Sequence, residues 1–106
     1  MNIYTIYADV KEGYNPKDFA KNITIFLNNI STCKSFRISR MKLGFRSMDL
    51  PEFRIDMDFA TMQDLDDAMT NVLNNKDNIE QDHVAFNKMV DQETIQHFLY
   101  RDYPDE

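Results

Sequence analysis

The chain has 106 residues, a formal net charge of −6 and one cysteine, with 42% hydrophobic and 28% charged residues. That length suits a single domain spanning 1–106, and no apolar run approaches the ~18 residues of a membrane span, so a soluble protein with no membrane partner is expected. The acidic balance argues against nucleic-acid binding; the lone Cys33 excludes an internal disulfide and a thiolate zinc cage, and with the signal-free start Met1-Asn2-Ile3 it points to the cytoplasm.

Residues 2–10 carry apolar side chains in both phases of a period-two pattern, Tyr4, Ile6, Ala8 and Val10 in one, Ile3, Thr5 and Tyr7 in the other. This predicts a central strand covered on both sides. Gly13 marks a turn, and Asn15-Pro16-Lys17-Asp18 supplies an N-cap, a proline at the first helical position and an acid in the first turn. Phe19, Ile23, Phe26, Leu27 and Ile30 then fall on one helical stripe, ending the helix near Asn29 or Ile30.

The next stretch, "FRISRMKLGFR" (36–46), is basic in an acidic chain. Over 34–54, six positive residues (Lys34, Arg37, Arg40, Lys42, Arg46, Arg54) face two acids (Asp49, Glu52), a local net of +4 that leaves −10 for the rest. Phe36 and Ile38 share one strand phase and Met41, Leu43 and Phe45 the other, which predicts a β-bulge near Ser39 and Arg40 in an edge strand blunted by positive charge. Arg37 and Lys42 are then expected on the face away from the apolar set.

A loop from Gly44 to Pro51 leads to the cleanest strand, where Phe53, Ile55, Met57 and Phe59 alternate with Arg54, Asp56 and Asp58. Thr61 caps a second helix whose stripe is Met62, Leu65, Ala68, Met69, Val72 and Leu73, with acids at 64, 66 and 67 where the helix dipole favours them. Asn74-Asn75-Lys76 interrupts it. A shorter helix over 78–90 sets Ile79, His83, Phe86 and Val90 near one side, and 94–103 forms a last strand. The order strand, helix, strand, strand, helix, strand predicts the ferredoxin-like α+β fold, a four-stranded antiparallel sheet with its helices on one face. The other face is mixed aromatic and charged, too apolar to stand in water, so a second copy is expected to cover it.

With that order and length, the segments "FRISRMKLG" (36–44) and "HFLYRDYPD" (97–105) resemble an uncharacterised family of short bacterial proteins with a ferredoxin-like, dimeric α/β-barrel fold. The likeness spans nearly the whole chain. It implies a homodimer whose two sheets form a barrel, as in the wider group of antibiotic-biosynthesis monooxygenases, muconolactone isomerases, haem-degrading enzymes and stress-responsive barrel proteins. Some of that group bind haem through a helix histidine, which His83 resembles, but they commonly add a tryptophan that this chain lacks. No haem or other cofactor is expected.

His83 is the first candidate for a general base, because imidazole is the usual proton-transfer group and this one falls on an apolar helix side. His97 follows. Asp56 and Asp58 share a strand face with Arg54 and would need pairing by Arg37, Arg40 or Arg54 if that face were enclosed. Tyr7, Tyr100 and Arg101 complete the expected pocket, since a tyrosine hydroxyl and an arginine fork can hold a polar ligand group. No His or carboxylate spacing marks a metal site, and with Gly13 and Gly44 alone there is no phosphate-cradling loop. Three functions remain open: a homodimeric barrel binding a small, partly apolar or anionic molecule; a cofactor-independent monooxygenase or isomerase acting on an aromatic or lactone; and an assembly protein whose arginines bridge Asp56, Asp58 or Asp102 of a second copy.

Overall fold

The computed structural model describes residues 1–44, 50–75 and 78–104. Phe45, Arg46 and Asp49 of the basic stretch, and Lys76 of the helix interruption, lie outside them. The elements are β1 (Asn2–Val10), α1 (Pro16–Asn28), β2 (Ser35–Arg40), β3 (Phe53–Phe59), α2 (Met62–Leu73), α3 (Ile79–Asn87) and β4 (Val90–Arg101). The strands form one antiparallel sheet in the order β2-β3-β1-β4, so β1 and β3 are central and the basic β2 is an edge. This is the ferredoxin-like α+β fold.

Local chemistry sets the boundaries. Asn15 Oδ1 accepts from the Lys17 N–H at 2.9 Å with Pro16 opening α1, and Thr61 Oγ1 accepts from the Asp64 N–H at 3.1 Å to start α2. Between α2 and α3 the chain reverses through Asn75 and Asn78, at φ 52° and 62°, a left-handed conformation that asparagine tolerates better than most residues. The Glu80 N–H then donates to Asn75 Oδ1 at 2.9 Å, tying the start of α3 to the turn.

The α1 stripe (Phe19, Ile23, Phe26, Leu27 and the following Ile30) is buried against all four inward residues of β3, Phe53, Ile55, Met57 and Phe59. Phe19 and Phe53 meet edge to face at 5.2 Å. Helix α2 differs from expectation: Leu65 and Ala68 are buried, but Met62, Met69 and Leu73 are 47, 42 and 85% exposed. Its apolar stripe is wider than the sheet it covers.

Two further expectations need correction. Strand β2 pairs with β3 without a shift from Ser35 to Arg40, so there is no bulge at Ser39 or Arg40. The change of phase beyond Arg40 reflects the strand's end: the Met41 N–H still donates to the Glu52 carbonyl, but Met41 and Leu43 are exposed and their parity carries no meaning. Arg37 does point away from Phe36 and Ile38, opposite Asp56, whereas Arg40 shares their phase, opposite Phe53. The shift in register lies instead between β1 and β4, after Tyr7, next to Asp9. There the Asp9 N–H donates to Thr94 Oγ1 at 2.9 Å and Asp9 Oδ1 accepts from the Glu52 N–H at 2.7 Å. Strand β4 also starts earlier than expected, at the buried Val90. Among the described residues no helix is long and apolar enough to cross a membrane.

Candidate functional site

Between the sheet and the three helices lies a cavity of about 390 Å³. Its floor is the inward face of the central strands (Tyr4, Ile6, Ala8, Ile55, Met57, Phe59), and its walls come from α1, α2 and α3. The same Met69 and Leu73 that overhang the sheet line it, so α2 contributes an exposed apolar rim. Among the described residues no Asp, Glu, Lys or Arg lines the cavity, and the polar side chains that do are Tyr4, His83, Asn87 and His97. Both sequence-predicted histidines therefore border one cavity, His97 from its solvent-exposed side.

His83 projects from α3 with its ring between those of Phe26 and Phe86, at 5.5 and 5.4 Å. Its Nδ1 is buried without a hydrogen-bond partner, and Glu80 Oε1, one turn back, stops at 3.6 Å, beyond hydrogen-bonding reach. The apolar walls hold the ring but leave that nitrogen unmatched. His97 sits on β4 in the inward phase, opposite Ile6, and its Nδ1 is hydrogen-bonded to the Tyr4 hydroxyl at 2.7 Å. Burial pushes the Tyr4 phenol's pKa up, which keeps it protonated. Asn87 is partly engaged, its side-chain and backbone oxygens accepting from Gln92 Nε2.

The remaining predicted residues divide by strand parity. Tyr7, Arg37, Arg54, Asp56, Asp58 and Tyr100 occupy the opposite, helix-free face of the sheet. There Arg54 Nε lies 3.0 Å from Asp56 Oδ2, its guanidinium 5.7 Å from the Tyr7 ring centre, and Thr5 and Ser35 donate to Asp56 and Asp58, each at 2.6 Å. Burial opposes the Arg54 charge, but the hydrogen bond and charge of Asp56 outweigh it and hold Arg54 firmly ionised. Phe98 stands between Tyr7 and Tyr100, at 6.0 and 6.2 Å, making an aromatic row beside the ion pair. Arg40 lies at neither place: it pairs with Glu52 at 2.6 Å, and its guanidinium lies over the Phe53 ring, 5.4 Å from the ring centre. Arg101 lies near the end of β4 opposite Asn2, and Asp102 pairs with the N-terminal amine at 3.2 Å. Among the described residues no three His, Cys, Asp or Glu side chains are grouped to hold a metal ion.

The model of a family of unknown function, DUF6614, matches residues 1–106. The chain belongs to this family. No curated protein matches it. Solved structures similar to this DUF6614 chain include At3g17210 of Arabidopsis thaliana (TM-score 0.78, 12% identity, covering 100% of this chain and 99% of that one). A dimeric ferredoxin-like protein of unknown function from Jannaschia sp. CCS1 follows with TM-score 0.69, 7% identity and coverage of 95 and 98%. A variant of SnoaB, a cofactor-independent oxygenase from Streptomyces nogalater, has TM-score 0.63, 12% identity and coverage of 98 and 97%. At these identities the likeness is one of fold.

Tyr4 and Asn87 are the polar cavity residues that the sequence did not single out, and for Tyr4 a signal existed. A tyrosine in the same strand phase as Ile6 and Ala8 points at the core, and a buried hydroxyl needs a partner. His97, Leu99 and Ile95 share the corresponding phase of the last strand, so the pairing follows once β1 and β4 are neighbours.

Proposed function

We propose that this DUF6614 protein is a cytoplasmic homodimer that binds a small, largely apolar molecule in the cavity between sheet and helices of each protomer. The cavity carries the reading: about 390 Å³ falls in the ~300–1,000 Å³ range of small-molecule sites, with apolar walls and a few polar side chains. The dimer rests on the helix-free face, where Phe98 and Tyr100 are 42 and 45% exposed beside the Arg54–Asp56 pair, a surface a second copy would cover. The dimeric Jannaschia protein supports it by fold. Cys33, free and unpaired, fits a reducing compartment. Native mass spectrometry of the freshly purified protein tests both parts: a mass near twice 12.6 kDa with a discrete small adduct is expected. A monomer would remove the dimer, and failure to retain or take up any apolar compound would remove the binding function.

A second reading is favoured by one observation. His83 lines the cavity between two phenylalanine rings, its buried Nδ1 makes no hydrogen bond, and an imidazole so placed can act as a base; SnoaB, of the same fold, is a cofactor-independent oxygenase. In this reading the protein is a cofactor-independent monooxygenase or isomerase acting on a small aromatic or lactone. Oxygen uptake and product formation over a panel of such compounds test it; turnover that His83→Ala abolishes while the fold persists is the expected result, and turnover unaffected by that change would sink it.

A further inference from the structure

We propose that the Tyr4–His97 pair is the specificity determinant of the cavity and that it selects an uncharged, largely apolar molecule bearing a hydroxyl group. This rests on the cavity-binding reading above and narrows it. A neutral phenol and a neutral imidazole together carry two exchangeable protons, and one is consumed in the 2.7 Å bond between Tyr4 Oη and His97 Nδ1. If Tyr4 donates, the pair is left with the Nε2–H of His97 as donor and the phenolic oxygen as acceptor. If His97 donates, it is left with the Tyr4 O–H as donor and Nε2 as acceptor. Each end of the pair thus switches between donor and acceptor with the tautomer, and a hydroxyl, which can be either, satisfies whichever end it meets.

The other lining residues exclude the alternatives. Among the described residues the cavity wall holds no lysine or arginine for a carboxylate or phosphate and no acid for an ammonium, so either would lose water there without meeting a counter-charge. A bare hydrocarbon fits the walls but strips water from the free donor of the pair and returns nothing. Burial, which raises the Tyr4 phenol's pKa, keeps the phenol's own proton in place at neutral pH.

Three bicyclic probes separate these cases: 1-naphthol, naphthalene and 1-naphthoate, each titrated calorimetrically into the full-length protein at neutral pH. Wild type is expected to bind naphthol about tenfold more tightly than naphthalene, the scale of one hydrogen bond, and naphthoate more weakly than either. In Tyr4→Phe and in His97→Phe the naphthol-to-naphthalene ratio is expected to fall to about one, on the same hydrogen-bond scale. The ratio is internal to each variant, and His97 lies on an exposed edge strand, so poor folding of the Tyr4 variant leaves the His97 variant to decide. Equal binding of naphthol and naphthalene by wild type, or a preference that survives both substitutions, overturns the assignment and leaves the apolar cavity as a binding site. If none of the three binds, the binding function itself is wrong, and this inference falls with it.

Discussion

Thr5 and Asp56 face each other across β1 and β3, and the threonine hydroxyl donates to Asp56 Oδ1 at 2.6 Å. Thr5 is wholly buried although it lies on the helix-free face, because the neighbouring side chains close over it. Asp56 therefore serves two groups at once, Thr5 and Arg54. Asp56→Ala leaves a buried hydroxyl without an acceptor and a guanidinium without its partner, and is expected to destabilise the fold by about 1–3 kcal/mol. Arg54→Ala removes only a half-exposed ion pair and is expected to lose less than ~1 kcal/mol. Urea unfolding curves with unchanged slopes measure both; equal losses would mean that Thr5 has another acceptor.

The aromatic row beside this ion pair gives the dimer its test. Phe98→Glu combined with Tyr100→Glu places two acids next to Asp56 and Asp58 on the surface that a second copy is proposed to cover. The expected result is a fall in native mass from near twice 12.6 kDa to 12.6 kDa, while Ile25→Glu, at an exposed position of α1 on the other side of the sheet, leaves the dimer intact. A dimer that tolerates both glutamates uses a different surface.

Capping residues and periodicity carried most of the fold into the sequence. Asn15-Pro16 and Thr61 are local signals, and the Phe19 to Ile30 and Phe53 to Phe59 patterns each match one buried face. The cavity was hidden for a physical reason: an empty volume depends on how far helices stand from a sheet, and periodicity reports only which side faces inward. Met69 and Leu73 illustrate this, since their phase is that of a buried stripe, yet they form a rim. Parity was read strand by strand but not carried across the candidate site, which mixed residues of both faces. Asp56 and Tyr7 on one face and His97 on the other follow from strand pairing, but one register shift after Tyr7 changes every later partner in β4.

At His83 the walls and the imidazole disagree, and the disagreement can be weighed. Phenylalanine would keep the ring contacts with Phe26 and Phe86 while removing the buried nitrogen that has no partner. His83→Phe is expected to leave stability unchanged or raise it by about 1 kcal/mol, a few degrees in the melting midpoint of a chain this size. A gain in stability with a loss of binding or turnover is the trade-off expected of a functional group kept in an apolar wall. A clear loss of stability would mean that Nδ1 is satisfied in solution.

Cys33 tests the electrostatics at the β2 edge. Burial pushes its thiol pKa up, the Asp58 carboxylate adds to the rise, and hydrogen bonds with the backbone of Asp58 and Ser35 act the other way without reversing it. At pH 8 the thiolate fraction is therefore smaller than in an unfolded chain, and alkylation by iodoacetamide is expected to run several-fold more slowly on the native protein than in urea. The sign extends to stability. Between the unfolded and the raised folded pKa the native state holds more protons, so Cys33's contribution is complete at neutral pH and is lost as the pH climbs through the thiol range. Asp58→Asn removes one of the raising charges and should speed alkylation at pH 8, even though the asparagine can still accept from the Ser35 hydroxyl. A rate that does not respond to Asp58→Asn would leave burial as the sole control on the thiol.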